Sequence, residues 1–156
     1  MRGHGGSGGQ VLRTPSEPVQ RAVANCFPGL MGNLTPEDKD TLVAQLLDRT
    51  LHDDKYAGRR GGSFGLAGAV KGIGFSALKA NGIMDALKEA VEDEKRPAAR
   101  EGGLLAFECL CERLGRLFEP VRVLCSHLAR SLAEFESRTE ICSCAQRSRR
   151  STSCSR

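Results

Sequence analysis

The apolar residues in the middle of this chain recur at the spacing of a helix. They fall at i, i+3, i+4 and i+7 within each segment, which places them along one face. Turn signals mark where segments begin, as in Thr35-Pro36-Glu37-Asp38, where a capping threonine precedes a proline and acidic residues. The pattern predicts helices over residues 36–51, 56–73, 82–91, 97–118 and 120–135. Gly74 is predicted to end the second of them as a left-handed cap.

These helices repeat along the chain. A shift of 41 residues places Leu66 on Phe107 and Gly74 on Gly115, and a shift of 39 adds an earlier partial copy. The other apolar residues that the two shifts align include Leu42 with Ile83 and Leu124, Leu46 with Leu87 and Leu128, and Phe27, Leu30 and Met31 with Leu66, Ala69 and Val70. Two helices in about 40 residues form the unit of HEAT and armadillo repeats. The sequence therefore predicts an all-α fold, an α-solenoid (superhelix) of about three HEAT-type helix pairs.

Glycines inside the second predicted helix need a physical reason, since each costs about 1 kcal/mol relative to alanine. They recur every three or four residues, and the spacings of phosphate-binding loops, GxGxxG and GxxxxGK[ST], are absent from the sequence. We therefore predict that a strip without side chains lets a neighbouring helix approach closely. Its members are Gly61, Gly62, Gly65, Gly68 and Gly72.

The two ends of the chain differ in composition from its middle. Residues 1–10 are rich in glycine and lack the apolar stretch of a signal peptide, so they are predicted to be a flexible leader. Residues 136–156 are rich in Ser, Arg and Cys and are predicted to be a disordered tail, which leaves 11–135 for the HEAT or armadillo-like repeats.

Charge and hydropathy narrow the function classes. Five Arg and one Glu between residues 138 and 156 supply the whole net charge of +4, so the body of the chain is neutral. A neutral body argues against a surface built for nucleic acid. No apolar run approaches the roughly 18 residues of a membrane span, and a cytoplasmic location is therefore predicted.

Candidate catalytic and metal-binding residues are few. The seven cysteines include no C-x-x-C pair, and an odd number without a secretory signal favours buried, reduced thiols over disulfides or zinc. Cys109 and Cys111 lie two apart in a helical pattern and cannot share a metal ion. No nucleophile stands at a recognisable spacing from His4, His52 or His127. We therefore predict that the chain is not an enzyme and has no cofactor and no metal site.

Charged residues cluster in the turns that join the helices of a pair, and two interpretations of them remain open. Turn carboxylates such as Asp53, Asp54, Asp93 and Glu94 would face arginines of the following helix and hold repeats in register, with up to about 1 kcal/mol for each pair. Alternatively, the turns align along one edge of a solenoid and form a ridge that binds a partner. The candidate partner-binding residues are Lys95, Arg96, Arg100, Arg59 and Arg60.

Two strings in the chain carry a family resemblance. GLAGAVKG (residues 65–72) and REGGLLAFECLCERLGRLFEP (100–120) closely resemble the central region of the general control non-derepressible translational activator, a very large HEAT-repeat protein. The similarity runs from Val11 to Pro120, and the same region resembles the HEAT portion of fungal elongation factor three. Because the family's proteins are far longer, the chain is predicted to comprise a few repeats from the middle of a long solenoid.

The resemblance implies a function without catalysis. That family associates with ribosomes and promotes phosphorylation of initiation factor 2 alpha by its protein kinase in the amino-acid-starvation response. The expected role is a protein-interaction scaffold with the ribosome and that kinase as partners, and with neither a membrane nor a specific nucleic-acid sequence among them. Another HEAT scaffold, of the tubulin-binding or transport-adaptor type, is the alternative. A third interpretation, that the chain binds nucleic acid, would be supported by the basic tail alone.

Overall fold

The computed structural model of the chain describes residues 12–115. These residues all fall within one compact unit, in which helices are joined by short connections and no strand occurs. The helices are α1 (Glu17–Met31), α2 (Pro36–His52), α3 (Tyr56–Ile73), α4 (Ala77–Ala80), α5 (Ile83–Glu92) and α6 (Pro97–Leu114).

Helix ends follow the local sequence signals closely. The Thr35 hydroxyl oxygen accepts a hydrogen bond from the Asp38 amide at 3.2 Å, which caps α2 as predicted. Gly74 ends α3 with a φ of +114°, although its ψ of 163° is extended, so the predicted left-handed cap is wrong in that detail. Gly82, with φ of 60° and ψ of 19°, takes the left-handed conformation instead, immediately before α5.

The helices stack as repeats, which confirms the predicted all-α, solenoid-like architecture. α2 packs on α3 and α5 packs on α6, so two complete helix pairs lie within the described residues. α1 packs on α3, and α3 in turn packs on α6, so these three helices form one continuous layer. The short helix α4 was not predicted, because its four residues are too few to show a helical period.

Most of the aligned apolar positions form the core. Leu66, Phe107, Leu46 and Leu87 are all buried, as their equivalence between repeats requires. Leu30 is an exception, because 48% of it is exposed on α1. The alignment of the partial early copy therefore predicts the helix correctly but assigns Leu30 to the core wrongly.

The glycines of α3 provide close helix packing, as predicted, although they do so on two faces rather than one. A methyl group at Gly61 would overlap the backbone oxygen of Leu12, and one at Gly68 would overlap that of Ala24 in α1. A methyl group at Gly62 would instead lie 2.7 Å from the Thr50 hydroxyl oxygen of α2. One glycine-rich helix thus admits neighbours on both sides.

Only part of the prediction of buried thiols holds for the three cysteines among the described residues. Cys109 is buried, and burial raises the pKa of its thiol far above the ordinary value. Cys111 is half-buried, and Cys26 is exposed on α1, which contradicts the prediction for that residue. The leader, the tail, the end of the 97–118 helix and the 120–135 helix lie outside the described residues.

Glu108 occupies a position that is apolar in the neighbouring repeat. At the shift of 41 residues it aligns with Ala67, which is fully buried in α3. Burial raises the pKa of the Glu108 carboxyl, and the nearby charge of Glu112 raises it further. The charged form of Glu108 is therefore disfavoured in the folded chain.

Replacing Glu108 by glutamine should stabilise the chain near neutral pH and have little effect in mild acid. Because the folded-state pKa lies above the unfolded value, the stability that the protonated carboxyl provides is complete below the unfolded pKa and is lost as pH rises through the folded pKa. Glutamine stays neutral throughout. Urea unfolding of Glu108→Gln and the parent at the two pH values checks this, and an equal gain at both would exclude ionisation as the cause.

Candidate functional site

The two intra-pair turns are built in the same way. In the first, the Asp53 carboxylate accepts a hydrogen bond from the Lys55 amide at 3.0 Å, and in the second, Asp93 accepts one from the Lys95 amide at 2.8 Å. An aspartate that bonds to the backbone two residues further on is a common turn device. The repeat therefore extends to the turns, which present their charged side chains at equivalent positions. We call the residues 53–55 and 93–96 together the turn edge.

Arg59 follows the first turn, and its side chain is buried and makes its contacts within the fold. It is 7% exposed, and its guanidinium donates hydrogen bonds to the carbonyl oxygens of Asp53 at 2.9 Å and Asp54 at 3.2 Å. Its ion pair is with Glu101 of α6, in the next repeat, rather than with a turn carboxylate. The arginine thus does link repeats, but the predicted pairing with turn carboxylates is wrong.

Arg60 points to the preceding helix instead of to solvent. Its guanidinium donates to the Gln20 side-chain oxygen at 2.8 Å and to the Pro15 carbonyl at 2.7 Å, and it lies 3.4 Å from the Glu17 carboxylate. Together Arg59 and Arg60 therefore bind α3 to its neighbours on both sides. Most of their donor groups are occupied within the fold.

Gln20 is a structural residue that the sequence analysis missed. It is fully buried in α1, and its side-chain nitrogen lies 2.7–2.8 Å from the carbonyl oxygens of Leu12, Thr14 and Ala57. The shift of 39 residues aligns Gln20 with Arg59, which contacts the carbonyl oxygens of its own turn in the same way. This alignment of two polar residues within otherwise apolar helices was the feature of the sequence that could have indicated the structural role of Gln20.

Lys95 and Arg96 differ from these arginines because they stand at the surface. Lys95 is exposed, and the Arg96 side chain is 49% exposed. Arg96 lies 2.6 Å from the Asp93 carboxylate, and this contact, with the Lys95 amide, lowers the pKa of Asp93. Arg96 also lies 3.4 Å from the ring of His52, which is the last residue of α2 in the preceding pair. Arg100 is half-buried, with its Nε shielded from solvent and without a hydrogen-bond partner.

The structure therefore divides four of the five predicted ridge residues into two groups. Arg59 and Arg60 hold the repeats together, whereas Lys95 and Arg96 are exposed. A further exposed cation, Arg13, was not predicted; it lies 3.3 Å from the Asp53 carboxylate and extends the turn edge towards α1. The partner-binding role of all these cations stays a prediction.

Residues 12–115 contain neither a cluster of metal ligands nor a membrane-spanning helix. No group of three His, Cys, Asp or Glu side chains lies close enough to hold a metal ion in this part of the chain. Of the described helices, none is both long and apolar enough to cross a membrane. What the geometry offers is a polar, charged edge, which suits recognition of another macromolecule.

Comparison with known proteins gives clear sequence relatives. Protein ILITYHIA from Arabidopsis thaliana is 52% identical over 111 residues, which are 71% of this chain and 4% of that protein. The stalled ribosome sensor GCN1 from Homo sapiens is 48% identical over 110 residues, with coverage of 70% and 4%. The eIF-2-alpha kinase activator GCN1 from Saccharomyces cerevisiae is 39% identical over 113 residues, with the same coverage.

The match is confined to a small part of each relative. No family model matches the chain, and no solved structure matches it. The chain spans about 4% of the length of the curated relatives named above. Identity of 39–52% over about 70% of the chain nevertheless extends from plant to human and yeast proteins. The chain therefore carries a segment that is homologous to part of the GCN1 proteins and of protein ILITYHIA.

Proposed function

We propose that this chain is a non-catalytic, cytoplasmic interaction scaffold, a segment of a ribosome-associated activator that promotes phosphorylation of initiation factor 2 alpha in amino-acid starvation. The observation that carries the proposal is the similarity to proteins named as a stalled ribosome sensor and as eIF-2-alpha kinase activators. The fold agrees with it, since stacked helix pairs provide a rigid support with repeated turns along one edge. The ribosome and that kinase are the proposed partners.

The proposed mechanism is positional. A scaffold that holds two partners at a fixed separation raises the effective concentration of one for the other without any chemistry of its own. In this segment, the residues best placed to contact the ribosome are Lys95 and Arg96, because they are exposed and lie on the turn edge. Ribosomal surfaces are rich in phosphate, so exposed cations would contribute to association and to its dependence on salt.

Reversing both exposed cations, in the variant Lys95→Glu/Arg96→Glu, should weaken co-sedimentation of the chain with ribosomes several-fold. The loss should be largest at low salt, where charge contributes most. Helicity by circular dichroism should stay close to that of the parent, because neither side chain is buried. The matched control is Lys71→Glu/Lys79→Glu, which reverses two exposed lysines outside the turn edge and should pellet with ribosomes like the parent.

Other outcomes separate the competing interpretations. If the double variant is stable and pellets at the parental level, the turn edge is not a ribosome contact. If the parent itself does not pellet, the scaffold role of this segment lies elsewhere, and binding to tubulin or a transport complex becomes the interpretation to test. A melting temperature that falls without any change in binding would assign Lys95 and Arg96 a purely structural role.

A further inference from the structure

Side chains of α1 and α6 meet although α3 lies between these two helices in the stack. An Arg21 guanidinium nitrogen of α1 lies 2.8 Å and 3.0 Å from the two carboxylate oxygens of Glu112 in α6. Close by, Arg113 of α6 donates a hydrogen bond to the side-chain oxygen of Asn25 in α1. We call Arg21, Asn25, Glu112 and Arg113 the α1–α6 bridge. It joins residues about 90 positions apart in the sequence.

Arg21 is fixed by contacts from all three helices of the layer. Its Nε donates to the Glu17 carboxylate of the same helix at 2.9 Å. Its guanidinium lies over the Phe64 ring of α3, 4.6 Å from the ring centroid, in a cation–π contact. Because Phe64 itself is only 4% exposed, the ring is a firm support. An arginine held by two carboxylates and an aromatic face has far less freedom than one in an isolated surface pair.

The glycines of α3 let α1 approach closely, which shortens the distance that a side chain of α1 must span to reach α6. At Gly61, Gly68 and other glycines of α3, no side chain keeps the neighbouring backbone at the usual distance. On the other side of the layer, α2 and α5 pack on α3 and α6 rather than mainly on each other. Polar side chains of α1 and α6 therefore meet directly on one side of the stack, across α3.

We propose that the α1–α6 bridge is a clamp that fixes the angle between successive repeats in this segment. The clamp joins the two helices that lie on either side of α3, so opening it would let α1 and α6 move apart about α3 as the hinge. The side chains of Arg21 and Glu112 are each about 40% exposed. Salt therefore screens the attraction between them and weakens the clamp. Such a device would set the local curvature of the solenoid independently of the buried contacts of each pair.

The distance between α1 and α6 tests the clamp directly in the full chain. Spin labels are placed by noncanonical amino acids at Ala22 of α1 and Ala98 of α6, both exposed and outside the bridge, so that the native cysteines remain. The parent should give a narrow distance distribution by pulsed electron paramagnetic resonance. Arg21→Gln and Glu112→Gln should each broaden it and move it to a different mean. Glu112→Arg should broaden it more, because two cations would then face each other.

The control is Lys79→Gln, which removes an exposed cation that lies outside the bridge, and it should leave the distribution unchanged. High salt should broaden the parental distribution and leave that of Arg21→Gln nearly as it was. Circular dichroism establishes that every variant is folded. Folded Arg21→Gln and Glu112→Arg with the parental distance and width would overturn the proposal, because the repeat angle would then be set by the buried contacts alone.

Discussion

Placing an aspartate at Leu66 or Leu110 should unfold the chain at ambient temperature. Both leucines are fully buried, one in α3 and one in α6, and each lies in the interface between stacked helices. Removing such a side chain costs about 2–5 kcal/mol, and an unpaired buried charge adds several more. Since the whole stability of a domain is about 5–15 kcal/mol, neither variant should keep a cooperative thermal transition.

Leu30→Asp is the matched control for these two variants. It makes the same chemical change in α1, but Leu30 is 48% exposed, so the loss of stability should be about 1 kcal/mol or less. Thermal melts followed by circular dichroism compare the three variants with the parent. Cooperative melting of Leu66→Asp and Leu110→Asp at the parental temperature would mean that the repeat interfaces do not hold the helices together.

Replacing Gly61 or Gly102 by alanine should destabilise the chain, against the usual effect of this change in a helix. At both positions the new methyl group would overlap a backbone oxygen, that of Leu12 for the first and that of Thr50 for the second. A backbone oxygen cannot rotate away, so the two backbone segments must separate slightly. We expect a loss of about 1–3 kcal/mol for each variant. Urea unfolding measures it.

Gly29→Ala gives the opposite expectation on the same chain. Gly29 lies in α1, and an added methyl group there would meet nothing within 4 Å. The ordinary preference for alanine in a helix should then dominate and stabilise the chain by about 0.5–1 kcal/mol. If all three alanine variants gained stability alike, the close helix approach at Gly61 and Gly102 would be excluded.

The sequence predicts the helices and their repetition well, because both depend on spacing along one segment. The cap at Thr35 and the glycines of α3 are examples, since each can be recognised from neighbouring residues. The contacts of Arg59 could not be predicted in the same way. Its carboxylate partner, Glu101, lies 42 residues away, and only the rotation of α6 on α3 decides which acid it meets. The same holds for Arg21 and Glu112.

The solvent exposure of individual side chains was the second property that the pattern of apolar and polar residues did not predict. Leu30 and Cys26 have residue types typical of a core, yet both are exposed on α1. Arg59 has a type typical of a surface and is buried, because carbonyl oxygens and Glu101 satisfy its charge. The ridge predicted from charge alone therefore combined side chains that hold the repeats together with side chains that face solvent.

Amide hydrogen exchange of the chain, with and without purified ribosomes, tests the scaffold proposal most directly. We predict that bound ribosomes slow exchange at the turn edge, residues 53–55 and 93–96, while the buried segments of helices α3 and α6 exchange slowly in both states. Lys95→Glu/Arg96→Glu should abolish the added protection at the turn edge and leave the slow exchange of α3 and α6 unchanged. Exchange that is identical with and without ribosomes throughout the chain, or new protection confined to regions away from the turn edge, would contradict it.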